Sequence, residues 1–125
     1  MKLSYKFLLA AAAYGIFGMV MGMAMGAKHD FTLEPVHAHN NLLGWVALTM
    51  YGLTYNAFPS MNNGKIGHIQ FYIANIGLFL MLPSLAFLLK GSTSVEALLV
   101  LGEICTVLSL LLFITNLWNN RTASI

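Results

Sequence analysis

Ionised side chains are nearly absent from this sequence: 6 lysines and arginines and 4 aspartates and glutamates make up 8% of its 125 residues, against 58% hydrophobic. A soluble domain has roughly a quarter of its residues charged, so that class is excluded and a membrane protein is expected. The formal charge of +2 is too small and too scattered to point to nucleic acid. A single cysteine, Cys105, rules out an intrachain disulfide, a CxxC redox pair and a cysteine zinc cluster. Neither a nucleophile–base pair nor a phosphate-cradling glycine loop occurs, so hydrolysis and nucleotide chemistry have no basis.

What the sequence does contain is four apolar runs of about 20 residues, each long enough to cross a bilayer. They cover residues 7–27, 37–58, 66–89 and 95–118 and use up almost the whole chain as a single domain, 1–125, with no separate soluble part. The first run follows Lys2 and Lys6 and ends in AMGA, a pattern shared with cleaved signal peptides. Its length, and the recurrence of Gly15, Gly18, Gly22 and Gly26 at helical spacing, favour a membrane helix that another helix approaches closely. The second run stops at Pro59, where PSMNNGKIG is turn chemistry. The expected fold is therefore all-α, an up-down bundle of four transmembrane helices. Lys2, Lys6, Lys65 and Arg121 fall at one end, so both termini are expected in the cytoplasm.

The stretch EPVHAHNNLLGW places His37 and His39 two residues apart where the second run begins. Consecutive helical residues turn by about 100°, so the two rings leave a helix roughly 200° apart and cannot chelate one ion. Three readings remain. The rings bond loop carbonyls and water at headgroup level; or the helix has not yet begun at His37 and the pair clamps copper or zinc with His29 or Glu34; or each imidazole serves a different site, one on each flank. The His37 flank continues as Asn40, Asn41, Gly44, Leu48, Gly52 and Tyr55, residues suited to protein contact, and the His39 flank as Leu42, Leu43, Val46 and Met50.

Glu103 is the only carboxylate well inside a run, expected as an acceptor for a ligand imidazole, a proton carrier, or a neutral carboxyl bonded to a neighbouring helix. Met19, Met21, Met23 and Met25 alternate along the first run, but on a helix they divide between two faces, which favours packing over copper transfer. His68, Tyr72, Asn75 and Phe79 share a flank of the third run that is expected to face the bundle, with Asn75 bonded to the second or fourth helix and a bend near Pro83. Trp45 and Trp118 read as packing or interfacial anchors.

The segment PVHAHNNLLGWVALTMYGLTYNAFP, about 25 residues, resembles the ligand-bearing second helix of subunit I in the haem-copper oxidase and nitric oxide reductase superfamily. In that superfamily twelve helices form three arcs of four, and one His-X-His pair serves two haems on either flank of its helix. The resemblance implies a homotrimer that rebuilds the twelve-helix ring in a bacterial inner membrane. It implies haem b held between His37 of one chain and His39 of the next, with Asn41, Trp45 and Glu103 around the cofactor, and a respiratory redox partner. The superfamily's copper site needs further histidines that this chain lacks, so a bis-imidazole haem for electron transfer or redox sensing is expected, without a binuclear oxidase or reductase centre. The alternatives are a copper- or zinc-binding accessory protein without haem, using His29, His37 and His39, and a structural subunit of a respiratory complex.

Overall fold

The computed structural model describes residues 1–123 and is all-helical, with no strand among them. Helix α1 (Leu3–Lys28) is followed by a rod built of three consecutive pieces, α2 (Glu34–His39), a π-helical segment (Asn40–Ala47) and α3 (Leu48–Ala57). A short 3₁₀ turn (Pro59–Asn62) leads to α4 (Ile66–Leu89), and α5 (Glu96–Asn119) closes the chain. Three helices, α1, α4 and α5, are long and apolar enough to cross a membrane. The rod does not join them on that measure, although four spans are expected from the sequence. None of its pieces alone reaches the length of the hydrocarbon layer, and His37, His39, Asn40 and Asn41 lower its apolar character.

Local chemistry explains the boundaries. Pro35 lies in the first turn of α2, where its missing N–H costs nothing, so the rod begins three residues before the expected start at His37. Helix α1 ends in a Schellman cap: His29 takes the left-handed conformation at φ 49°, its N–H donates to Gly26 O, and Asp30 N–H donates to Met25 O. At its other end the first helix begins at Leu3, four residues earlier than its expected start.

The π-helical piece follows from how the rod is buried. Val36, Asn40, Gly44, Leu48 and Gly52 are all buried and stand four residues apart. In an α-helix each four-residue step overshoots a full turn by about 40°, which over this series would carry Gly52 most of the way to the opposite side. The wider π turn, with its i to i+5 bonds, absorbs that drift and keeps the stripe against the bundle.

Two contacts set the helix pairs. Glycines bring α1 against the rod, as the sequence implies. On the other pair, a Cβ placed on Gly102 would lie 2.6 Å from Met81 N and 2.8 Å from Gly77 O, so α4 and α5 touch backbone to backbone. At the end bearing the termini, Phe7 is fully buried, stacked on Tyr55 with ring centroids 5.5 Å apart and edge-on to Phe71 at 5.1 Å. Tyr55 donates its hydroxyl proton to Gln70 Oε1, and Asn116 Nδ2 donates to the Tyr55 oxygen at 3.1 Å and to Met61 O at 2.9 Å. This network joins the rod, α4 and α5 with hydrogen bonds that lipid cannot replace.

The polar and aromatic flank expected of the third run divides. His68 and Asn75 are half-buried, whereas Tyr72 and Phe79 are exposed. Asn75 bonds neither the second nor the fourth helix: Nδ2 donates to Phe71 O on its own helix, and Oδ1 accepts from Tyr14 of α1 at 3.4 Å. The side chain is short enough to reach the carbonyl one turn back, which satisfies its donor without a neighbour.

Candidate functional site

Three of the expected site residues share one seat. His37, Asn41 and Trp45 recur every four residues along the rod, and each meets a glycine of α1 running the other way. A Cβ on Gly22 would lie 3.0 Å from His37 Cε1, one on Gly18 would overlap Asn41 Oδ1, and one on Gly15 would lie 3.2 Å from Trp45 Cγ. The glycine spacing in α1 is thus the template for the polar start of the rod; Gly26, the fourth in the series, has no neighbour within 4 Å among the described residues.

Hydrogen bonds fix the protons here. Asn40 Nδ2 donates to Tyr14 O at 2.8 Å and to Asn41 Oδ1 at 3.3 Å. Asn41 Nδ2, a donor, stands 3.2 Å from His37 Nε2, which must therefore accept. The proton of a neutral His37 is then on Nδ1, and that atom is buried without a partner among the described residues.

His39 is in the opposite condition. Its side chain is exposed, and Nδ1 lies 2.7 Å from Pro35 O. A carbonyl only accepts, so Nδ1 carries a proton, and in the neutral ring Nε2 keeps its lone pair. A backbone acceptor on one ring nitrogen is the arrangement that orients an imidazole for a metal on the other. The two rings do leave on different sides of the rod, one against α1 and one outward.

The remaining candidates are dispersed. Glu103, seven residues into α5 and so about 10 Å from its start, is exposed on that helix's outer surface. His29 terminates α1, and Glu34 begins α2 on the exposed side. Among the described residues no three His, Cys, Asp or Glu side chains stand close enough to hold a metal ion together, so one chain does not assemble the clamp of His29, His37 and His39. In the connecting loop, Asp30 Oδ1 accepts from Thr32 Oγ1 at 2.6 Å and from Thr32 N–H at 3.1 Å. These bonds, the side-chain one foremost, hold the Asp30 carboxyl below the usual aspartate range, helped by Lys90 and Lys28.

A second group of residues was not brought together by sequence reasoning. Asn40, Tyr14 and Asn75 stand at a cleft between α1 and α4, with Asn40 fully buried and its Oδ1 unpartnered among the described residues. The available signal was the Asn40–Asn41 doublet inside an apolar run, since an amide in that setting needs a protein partner for every polar atom. No family model, curated protein or solved structure matches this chain.

Proposed function

We propose that this chain is a membrane haem b protein whose iron lies between neighbouring copies, His39 of one copy facing His37 of the next. The observation that carries this reading is His39 itself: an exposed imidazole near the start of an apolar rod, its Nδ1 proton tied to Pro35 O and its Nε2 lone pair directed away from its own chain's bonds. A polar nitrogen left facing hydrocarbon is costly, and a ligand or a second copy removes that cost.

The two flanks support a shared site. One chain presents one imidazole to each side of the rod, so a bis-imidazole iron requires two copies. His37 would supply the second imidazole through Nε2, the atom that accepts from Asn41 Nδ2 in this structure, and Asn41 and Trp45, its neighbours along the same flank of the rod, would border the group. A bis-imidazole haem supplies one-electron exchange and has no open position for a substrate. The assembly suited to this is a trimer in which the rod counts as a fourth crossing. Its copy-to-copy contact also shelters Glu103, whose exposed position inside α5 is otherwise unfavourable in lipid. The membrane is a bacterial inner membrane, both termini are cytoplasmic by the lysines and arginine at that end, and the partner is a component of a respiratory chain.

Purification in mild detergent with a pyridine haemochrome assay, metal analysis and native mass spectrometry tests this. The expected result is a coloured trimer with a b-type spectrum that His39→Ala abolishes and His37→Ala abolishes or broadens. A colourless monomer overturns the proposal, as does a spectrum that both variants retain in full. Copper or zinc found without porphyrin transfers the site to the accessory-protein alternative.

A further inference from the structure

Helices α1 and α4 separate over the half of the bundle nearer the α1–α2 connection. The space between them is a cleft of about 670 Å³ floored by the rod. That volume lies within the range of small-molecule sites, roughly 300–1,000 Å³. Carbon lines most of it, from Ala13 and Phe17 of α1 and Leu82, Pro83 and Ala86 of α4, with Val36 below. Ala13, Phe17, Phe79 and Pro83 are exposed, so the cleft opens sideways toward lipid.

Its few polar atoms share one character. Both protons of Asn40 Nδ2 are used, while Oδ1, fully buried, has no partner among the described residues. Tyr14 donates its hydroxyl proton toward Asn75 Oδ1, so the Tyr14 oxygen has only lone pairs left to offer. Pro83 has no N–H, which leaves the carbonyl of Phe79, another lining residue, without its helical donor. Every unfilled position is an acceptor. Lipid acyl chains, ketones and ethers bring no proton to them. The π-helical segment starts at Asn40, and such segments gather at functional sites because they turn side chains out of the ordinary helical register. Aromatic rings from Phe17, Phe79 and Tyr14 border the opening, the last two with centroids 6.5 Å apart and planes at 59°.

We propose that this cleft binds a lipid-soluble phenol, whose hydroxyl donates to Asn40 Oδ1 at the floor, an atom that the ligand uncovers by a small turn of the amide, while its apolar ring and substituents lie between α1 and α4. The aromatic border favours a ring over an aliphatic alcohol, and the acceptor floor favours a hydroxyl over its ether. The site is distinct from the exposed ring of His39 and does not involve it.

The test uses 2,6-diisopropylphenol, its methyl ether and a photoreactive diazirine derivative of the phenol, with the full-length protein in detergent. The phenol is expected to bind roughly tenfold tighter than the ether, the difference made by one buried acceptor left unsatisfied. Photolabelling is expected on α1 and α4 residues of the cleft. Ala13→Trp, at an exposed position on the mouth, is expected to block both binding and labelling without disturbing the bundle, and Asn40→Leu to erase the preference for phenol over ether. Should Asn40→Leu fail to fold, the Ala13→Trp result and the phenol-to-ether ratio decide. Equal affinity for phenol and ether overturns the proposal, as does labelling that lies elsewhere or that Ala13→Trp leaves unchanged.

Discussion

The Nδ1 of His39 lies 2.7 Å from the carbonyl oxygen of Pro35, one turn earlier on the same helix. Because a carbonyl cannot donate, this contact selects one of the two neutral tautomers. Nitrogen-15 NMR of ring-labelled protein at mildly alkaline pH is expected to show His39 Nδ1 protonated and Nε2 bare. Finding the proton on Nε2 would contradict the contact and leave that outward-facing nitrogen without a lone pair for a metal.

Backbone contact between α4 and α5 gives the sharpest packing prediction. Gly102→Ala places a methyl group 2.6 Å from Met81 N, an atom that cannot move without its helix. The expected loss is about 1–3 kcal/mol of stability, typical of overpacking, measured by reversible denaturation in detergent. Gly26→Ala serves as the control, since nothing stands within 4 Å of it among the described residues. It is expected to be neutral or slightly stabilising through helix propensity.

Asn116 joins the rod to α5 through the Tyr55 oxygen and Met61 O. Asn116→Ala is expected to cost about 1–2 kcal/mol, the upper part of the range for hydrogen bonds within membrane proteins, because Met61 O loses its donor in a buried setting. Hydrogen exchange should then quicken in the turn at Pro59–Asn62 and not in the α1–α2 connection. Uniform loosening of the whole bundle would show that the bond has no local role.

The loop carboxylate gives a pH prediction. Bonds from Thr32, with Lys90 and Lys28 nearby, hold the Asp30 carboxyl below the usual aspartate range. A group whose folded value is depressed stabilises above its unfolded value, and that contribution is lost as pH falls through the folded one. The group is fully exposed, so the effect is local. A carbon-13 titration of the side chain should find Asp30 titrating low, with Thr32→Val moving it upward. No movement would mean the hydroxyl bond is absent in solution.

Much of the fold was legible in the sequence because bilayer length and glycine spacing are one-dimensional signals. The third expected helix falls at 66–89 and the fourth at 96–119, one residue beyond the expected 95–118, and Gly15, Gly18 and Gly22 do receive the rod. The separation of His37 from His39 was legible for the same reason, since it depends only on helical geometry. Less legible was the backbone register of the rod. The buried residues at Asn40, Gly44, Leu48 and Gly52 were on the page at intervals of four, but a reading that assumes α-helix passes over the drift that such intervals imply. The Asn75 partner was missed because a short amide has its own helix as an alternative. Asn40 was read as one member of a polar flank, and only the three-dimensional arrangement shows that its oxygen is left over at a cleft.

The π-helical segment acts as a phase adjuster between two docking stations. Before it, His37 keys into α1; after it, Tyr55 keys into α4 and α5. Removing one residue between Asn40 and Ala47 takes out the extra residue that the wider turn accommodates, so the backbone can relax to ordinary α-helix with both stations close to their present directions, whereas removing one from α3 turns everything downstream by about 100°. A single deletion is thus expected to be tolerated in the π-helical segment and to uncouple the Tyr55 station when made in α3.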